Sequence, residues 1–224
     1  MNTSKILTIA VTTVLFTFTG LAMAKKDQFP QITETGLHLV PDSNLAVVYA
    51  QPDADLANYQ RIQLLDAVVA FRKNWARDQR PSAGSRMTIT SKEVEKIKNR
   101  LAQEFQAVFK QTLEEGGYEV VEESADDVLT VRPSIINLDV TAPDTPTAGH
   151  TRTYTSSAGE MTLYIELYDS VTGDLIAKAL DRRVDDSRGG SYTWSNSVSN
   201  RVAAEKILKG WAEILRDALN EAKK

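Results

Sequence analysis

The stretch MTLYIELYDSVTGDLIAKALDR, residues 161–182, decides the fold. Met161, Leu163, Ile165 and Leu167 alternate with Thr162, Tyr164, Glu166 and Tyr168, so a strand here buries one face and leaves the other partly wet. Thr172-Gly173 supplies turn chemistry, and Leu175 to Arg182 runs back as the second strand of a hairpin. An apolar sheet face of that kind needs a second layer to cover it.

Two amphipathic helices supply the cover. Downstream, residues 197–223 carry Ala204, Ile207, Leu208, Trp211, Ile214, Leu215 and Ala218 as a continuous apolar stripe. Gly210 inside that helix costs about 1 kcal/mol against alanine, which points to close packing beside Trp211. Upstream, Thr90 and Glu93 form a capping box, with Ile89 and Val94 placed as a hydrophobic staple. Val94, Ile97, Leu101, Phe105 and Val108 then recur at steps of three and four, predicting a helix over 91–115 that Gly116-Gly117 ends.

The remaining segments read as strands and connections. YQRIQLLDAVVAF, 59–71, predicts one long, mostly buried strand, and LAVVYA, 45–50, an edge or arm strand. YEVVEE from Tyr118 is a short strand. In the longer one that follows, Leu129, Val131 and Ile135 share one parity while Ile136, Leu138 and Val140 share the other, and Pro133 cannot donate to a ladder. A bulge or an edge position reconciles these facts. Residues 141–159, rich in Thr, Ser, Pro, Ala and Gly, read as a flexible surface loop. The fold class is therefore α+β: one domain at 25–224, with an antiparallel or mixed sheet of about five strands and two long helices on one face.

The first residues address the chain. Lys5, an apolar run at 6–19 and the small-residue pattern Ala22-Met23-Ala24 read as a secretory signal peptide, residues 1–24. The run is diluted by threonines and is short of the about 20 residues that a spanning helix needs, so no stable membrane anchor is expected after cleavage. The expected location is periplasmic or secreted.

The order strand, helix, three or four strands, helix, with YDSVTGDLIAKALDRR (168–183) as its hairpin, resembles the bacterial domain-of-unknown-function family thirty-three-thirteen. Members of that family are for the most part regarded as lipoproteins. Here Lys25 stands where a lipoprotein carries its cysteine, and the chain has no cysteine. The resemblance therefore implies an exported, lipid-free version of an envelope protein, and it brings no catalytic residues with it.

Composition removes several chemistries. Without cysteine there is no thiol nucleophile, thiol redox relay or thiolate metal site. A net charge of −4 argues against a nucleic-acid partner, and the arginines of DRRVDDSRGG (181–190) are offset by Asp181, Asp185 and Asp186. His38 and His150 sit in turn-rich stretches with no nucleophile elbow or zinc spacing around them. The acidic pairs Asp126-Asp127 and Asp185-Asp186 do not converge by themselves and read as solvated turn acids. No catalytic residue, metal or cofactor is thus assigned. The binding candidates are Tyr192 and Trp194, in RRVDDSRGGSYTWSN (182–196), a polar, glycine-containing segment suited to sugar, peptide or protein recognition. Against this stands burial of Trp194 at the end of the last helix, the commoner fate of a large aromatic. The leading expectation is a non-catalytic module that binds or docks an envelope protein or glycan. The alternative is a hydrolase of envelope polymers that uses carboxylates scattered in sequence.

Overall fold

The structure, a computed structural model, describes residues 29–79, 89–141, 153–155, 159–185, 193–195 and 197–224. In chain order the elements are β1 His38–Leu39, β2 Val47–Ala50, β3 Arg61–Leu64, β4 Val68–Phe71, α1 Trp75–Asp78, α2 Ser91–Glu115, β5 Glu119–Val121, β6 Val128–Val140, β7 Thr153–Thr155, β8 Gly159–Asp169, β9 Leu175–Val184, β10 Thr193–Ser195 and α3 Ser197–Ala222. The expected signal peptide lies outside the described residues, as does most of the loop expected at 141–159, within which 153–155 form β7. Among the residues described, no helix is long and apolar enough to cross a membrane.

β8 and β9 form the expected hairpin, with Leu163 opposite Asp181, Ile165 opposite Ala179 and Leu167 opposite Ala177. Its loop is closed by Asp169, whose Oδ1 accepts from the amides of Val171 (3.0 Å) and Thr172 (2.7 Å). Gly173 takes the left-handed backbone there, at φ 73°.

The sheet is larger than the five strands expected. It has eight, in the order β1-β2-β9-β8-β6-β3-β5, with β4 also on β6. Part of the difference lies in 59–71, which forms two short strands, β3 and β4, both parallel to β6. The break at Leu65-Asp66-Ala67 falls beside Pro133, which has no N–H to give to a neighbouring strand. Gln106 of α2 holds the break from the other layer, donating to the Leu64 carbonyl (3.4 Å) and Asp66 Oδ1 (3.1 Å). The rest comes from 45–50, expected as an edge or an arm, which joins the sheet as β2 beside β9, and from the two-residue edge strand β1 beyond it.

The parity conflict in β6 is settled by a bulge. Pairing with β8 slips between Ile136 and Asp139, and Asn137 adopts φ 51°. The slip returns Leu138 to the face of Ile135, and both are buried.

α2 begins on the expected capping box: Thr90 Oγ1 accepts the Glu93 amide (3.2 Å), and Glu93 Oε2 accepts the Thr90 amide (2.7 Å). It ends in a Schellman motif, with the Tyr118 amide donating to Leu113 O and that of Gly117, at φ 89°, to Glu114 O. Its buried face is Leu101, Phe105, Phe109 and Leu113; Val94 and Ile97, in the first turns, are only half-buried. Phe105 stacks on Phe109 with ring centroids 3.9 Å apart.

One hydrophobic cluster joins this face to Ile207, Leu208, Trp211, Ala212 and Leu219 of α3 and to Val131, Ile135, Leu163, Ile165 and Leu167 of the sheet. At the seam, Trp211 Nε1 donates to Asp181 Oδ2 (2.7 Å), which also accepts from Arg183 Nε (3.0 Å), while Asp181 Oδ1 accepts the Ala46 amide (3.0 Å). Gly210 packs closely beside Trp211, as expected, against the Arg183 guanidinium, which occupies the space a Cβ would need.

Candidate functional site

The inward face of β6, β8 and β9 is spent on the core, so a surface for recognition has to come from the alternate residues. The registers place Tyr49, Lys178, Glu166 and Arg132 side by side across β2, β9, β8 and β6. Tyr164 and Tyr168 lie one step above and below Glu166 on β8, on the same face.

Glu166 is the centre of this patch. Only 7% exposed, it accepts from Arg132 Nε (2.8 Å) and Tyr164 OH (2.6 Å), and Arg132 Nη2 lies 2.5 Å from its Oε2. Tyr168 flanks it on the other side along β8. Burial opposes ionisation of Glu166, but the bonds from Tyr164 and Arg132 outweigh it and hold the carboxyl below the usual carboxylate range. The same burial, with Glu166 as acceptor, pushes the Tyr164 hydroxyl up to about 12. The Arg132 guanidinium lies 5.2 Å from the centre of the Tyr168 ring, and the Lys178 ammonium 5.8 Å from that of Tyr49. Tyr49 is buried, Tyr164, Tyr168 and Lys178 are half-buried, and the Arg132 side chain is 55% exposed. Leu180 and Val68 add exposed apolar surface to the same face.

This arrangement is pre-organised. Glu166 holds the Nε and Nη2 edge of the Arg132 guanidinium and the Tyr168 ring lies beneath it, while the side chain stays 55% exposed. Fixed arginine and tyrosine surfaces suit recognition of a partner. For acid–base chemistry the patch is poorly placed, because its carboxylate is occupied by Arg132 and Tyr164, and burial beside that carboxylate moves the hydroxyls of Tyr164 and Tyr168 still further above neutral.

Of the other carboxylates among the described residues, Glu104, Asp139, Glu160 and Asp185 line one cleft. Glu104 of α2 and Glu205 of α3 share a hydrogen bond, far closer than the about 5 to 9.5 Å that separates the two carboxyls of a glycosidase. Burial, then the Glu205 contact, raises the Glu104 carboxyl, and Arg201 partly opposes this. Asp127 is held in a two-pronged pair by Arg61, at 2.9 and 2.6 Å, rather than left as a free turn acid. Asp185 is buried, and Asp186 lies outside the described residues. His38 sits in β1 opposite Ala50, and His150 is outside the described residues. Among the described residues no group of three His, Asp or Glu is placed to hold a metal ion.

Of the two binding residues expected from sequence, Tyr192 lies outside the described residues. Trp194 lies in β10, whose backbone pairs with β7 so that Trp194 stands opposite Tyr154. That small sheet is separate from the large one, so Trp194 is not joined by strand pairing to the Glu166 patch. The patch itself escapes a reading of the sequence. The available signal was Tyr-x-Glu-x-Tyr at 164–168, an acid between two tyrosines on the outward parity.

The family described as "Protein of unknown function (DUF3313)" matches residues 38–215. No curated protein matches significantly. Among solved structures, similarity extends to a PelC dodecamer from Paraburkholderia phytofirmans (13% identity, 75% of this chain and 96% of that one, TM-score 0.37). A DUF330 protein from Xanthomonas campestris (12%, 70% and 82%, 0.37) and a DUF4136 family protein from Bacteroides thetaiotaomicron (13%, 75% and 94%, 0.35) stand at the same distance. Likeness at this level carries no argument about activity or assembly.

Proposed function

The chain belongs to the family described as "Protein of unknown function (DUF3313)", and on that premise we propose that it is an exported, non-catalytic protein of the bacterial envelope that docks a protein partner on the sheet face around Arg132. The observation that carries the reading is the pairing of an almost fully buried Glu166 with a largely exposed Arg132. A buried carboxylate on a face turned away from the main core is costly unless it positions something, and here it positions a guanidinium over the Tyr168 ring. Arginine and tyrosine are the residues enriched where interfaces are tightest. Export rests on the signal-like residues 1–24, and among the described residues the two long helices join the cluster beneath the opposite sheet face.

A photo-crosslinking side chain at position 168 tests the reading, with Lys110 on the exposed side of α2 as the control position. Irradiation of the native envelope should give a discrete protein adduct from position 168 and none from 110. Adducts from 110 alone, or from neither position, overturn it. A glycan adduct at 168 would keep the surface but replace the class of partner.

A further inference from the structure

A cleft of about 790 Å³ opens between the first halves of α2 and α3, above the end of the sheet where β6 meets β8. Leu101, Leu138, Met161 and Ile207 form its buried wall. Among the described residues no aromatic side chain lines it, and its size falls in the range of about 300 to 1,000 Å³ typical of small-molecule sites. The buried Asp185 also lines the cleft; away from it the aliphatic wall suits an apolar body, because a polar body would lose its water partners there.

The rim is charged, and most of its charges are already matched. Asp139 is held by Arg72, Glu160 by Arg182, and the Glu104–Glu205 pair by Arg201. Arg100, exposed on α2 and lining the same cleft, has no hydrogen bond or ion pair among the described residues. Asp185, which also lines the cleft, has an interaction of its own, so among the described residues the rim charge without a partner is a cation next to a largely aliphatic cavity.

We propose that the cleft binds a single-chain carboxylate amphiphile, with its aliphatic tail against Leu101, Met161 and Ile207 and its carboxylate at Arg100. This site is independent of the Arg132 face, and either assignment stands if the other fails. Isothermal titration calorimetry of the purified full chain with sodium dodecanoate, below its aggregation concentration, should give saturable 1:1 binding. Decanoate should bind about fifteenfold more weakly, at about fourfold per methylene removed. Dodecanol and dodecyltrimethylammonium should both bind more weakly than dodecanoate. Arg100→Glu should weaken dodecanoate about fivefold or more, as expected for an exposed charge pair that is reversed, and leave dodecanol unchanged. Ala204→Trp should abolish binding by filling the cleft while the circular dichroism spectrum is kept. Should that variant not fold, Ala107→Trp, at another position lining the cleft, takes its place. Absence of saturable dodecanoate binding, equal affinity for the three head groups, or binding undisturbed by the tryptophan variant overturns the proposal.

Discussion

Replacing Asp181 with alanine removes three hydrogen bonds at the seam between sheet and α3, and the structure sets what each is worth. Trp211 is 1% exposed, so its indole N–H would be left without a partner or water, at a cost of about 1–3 kcal/mol. The Ala46 amide is part-buried and recovers some solvent. The Arg183 side chain is 30% exposed and turns to water at little cost. The sum is about 2–4 kcal/mol, which for a chain of this size lowers the melting temperature by about 6–12 °C at its midpoint. Thermal unfolding followed by circular dichroism measures it. Trp211→Phe keeps most of the ring and removes the donor, so Asp181→Ala should cost at least about 1 kcal/mol less in that background. An equal cost in both backgrounds, or a drop below about 2 °C in the single variant, would refute the account of the seam.

Phe105→Ala, in the fully buried stack on Phe109, should cost about 3–5 kcal/mol in urea unfolding; a loss under about 1 kcal/mol would mean that this face of α2 does not cover the sheet. Because the folded Glu166 carboxyl lies below its unfolded value, its contribution is present above the unfolded value and fades as pH falls through the folded one. Glu166→Gln should therefore lose less stability than the native chain between about pH 7 and pH 3 in parallel melts. Identical pH profiles would count against the sealed-carboxylate reading.

The parts of the fold written in short stretches are legible from the residues alone. Thr90 and Glu93 lie on one helical turn, Gly116 and Gly117 are adjacent, and Asp169 to Gly173 is a single loop, so one window of sequence holds each complete hydrogen-bond set. The irregularity in β6 is legible for a related reason: two parities in one strand signal a bulge or an edge position, and the bulge is what buries both Ile135 and Leu138. By contrast, the split of 59–71 depends on Gln106 and Pro133, one in a helix and one in a strand far along the chain. The two-residue β1 has no periodicity to detect; only its pairing to β2 identifies it.

The candidate site follows the same division. Alternation alone sets Tyr164, Glu166 and Tyr168 on the outward face, yet nothing local announces that Arg132 arrives beside Glu166 or that the carboxylate is buried there. Tyr192 and Trp194 stand out instead, because a polar, glycine-containing segment is visible in sequence and strand register between distant residues is not. Gly210 is conspicuous through its cost within a helix, while its reason, the Arg183 guanidinium, comes from another element.

The most direct test of the docking face is affinity purification from the native envelope of the intact chain and of an Arg132→Ala/Tyr168→Ala variant, with bound proteins quantified by mass spectrometry. The account predicts a specific protein recovered with the native chain and depleted at least about tenfold with the variant, which matches the loss of one interface hot spot, while circular dichroism shows both proteins folded at the assay temperature, the variant melting lower because Glu166 has lost donors. Equal recovery of every captured protein from two equally folded samples would contradict it.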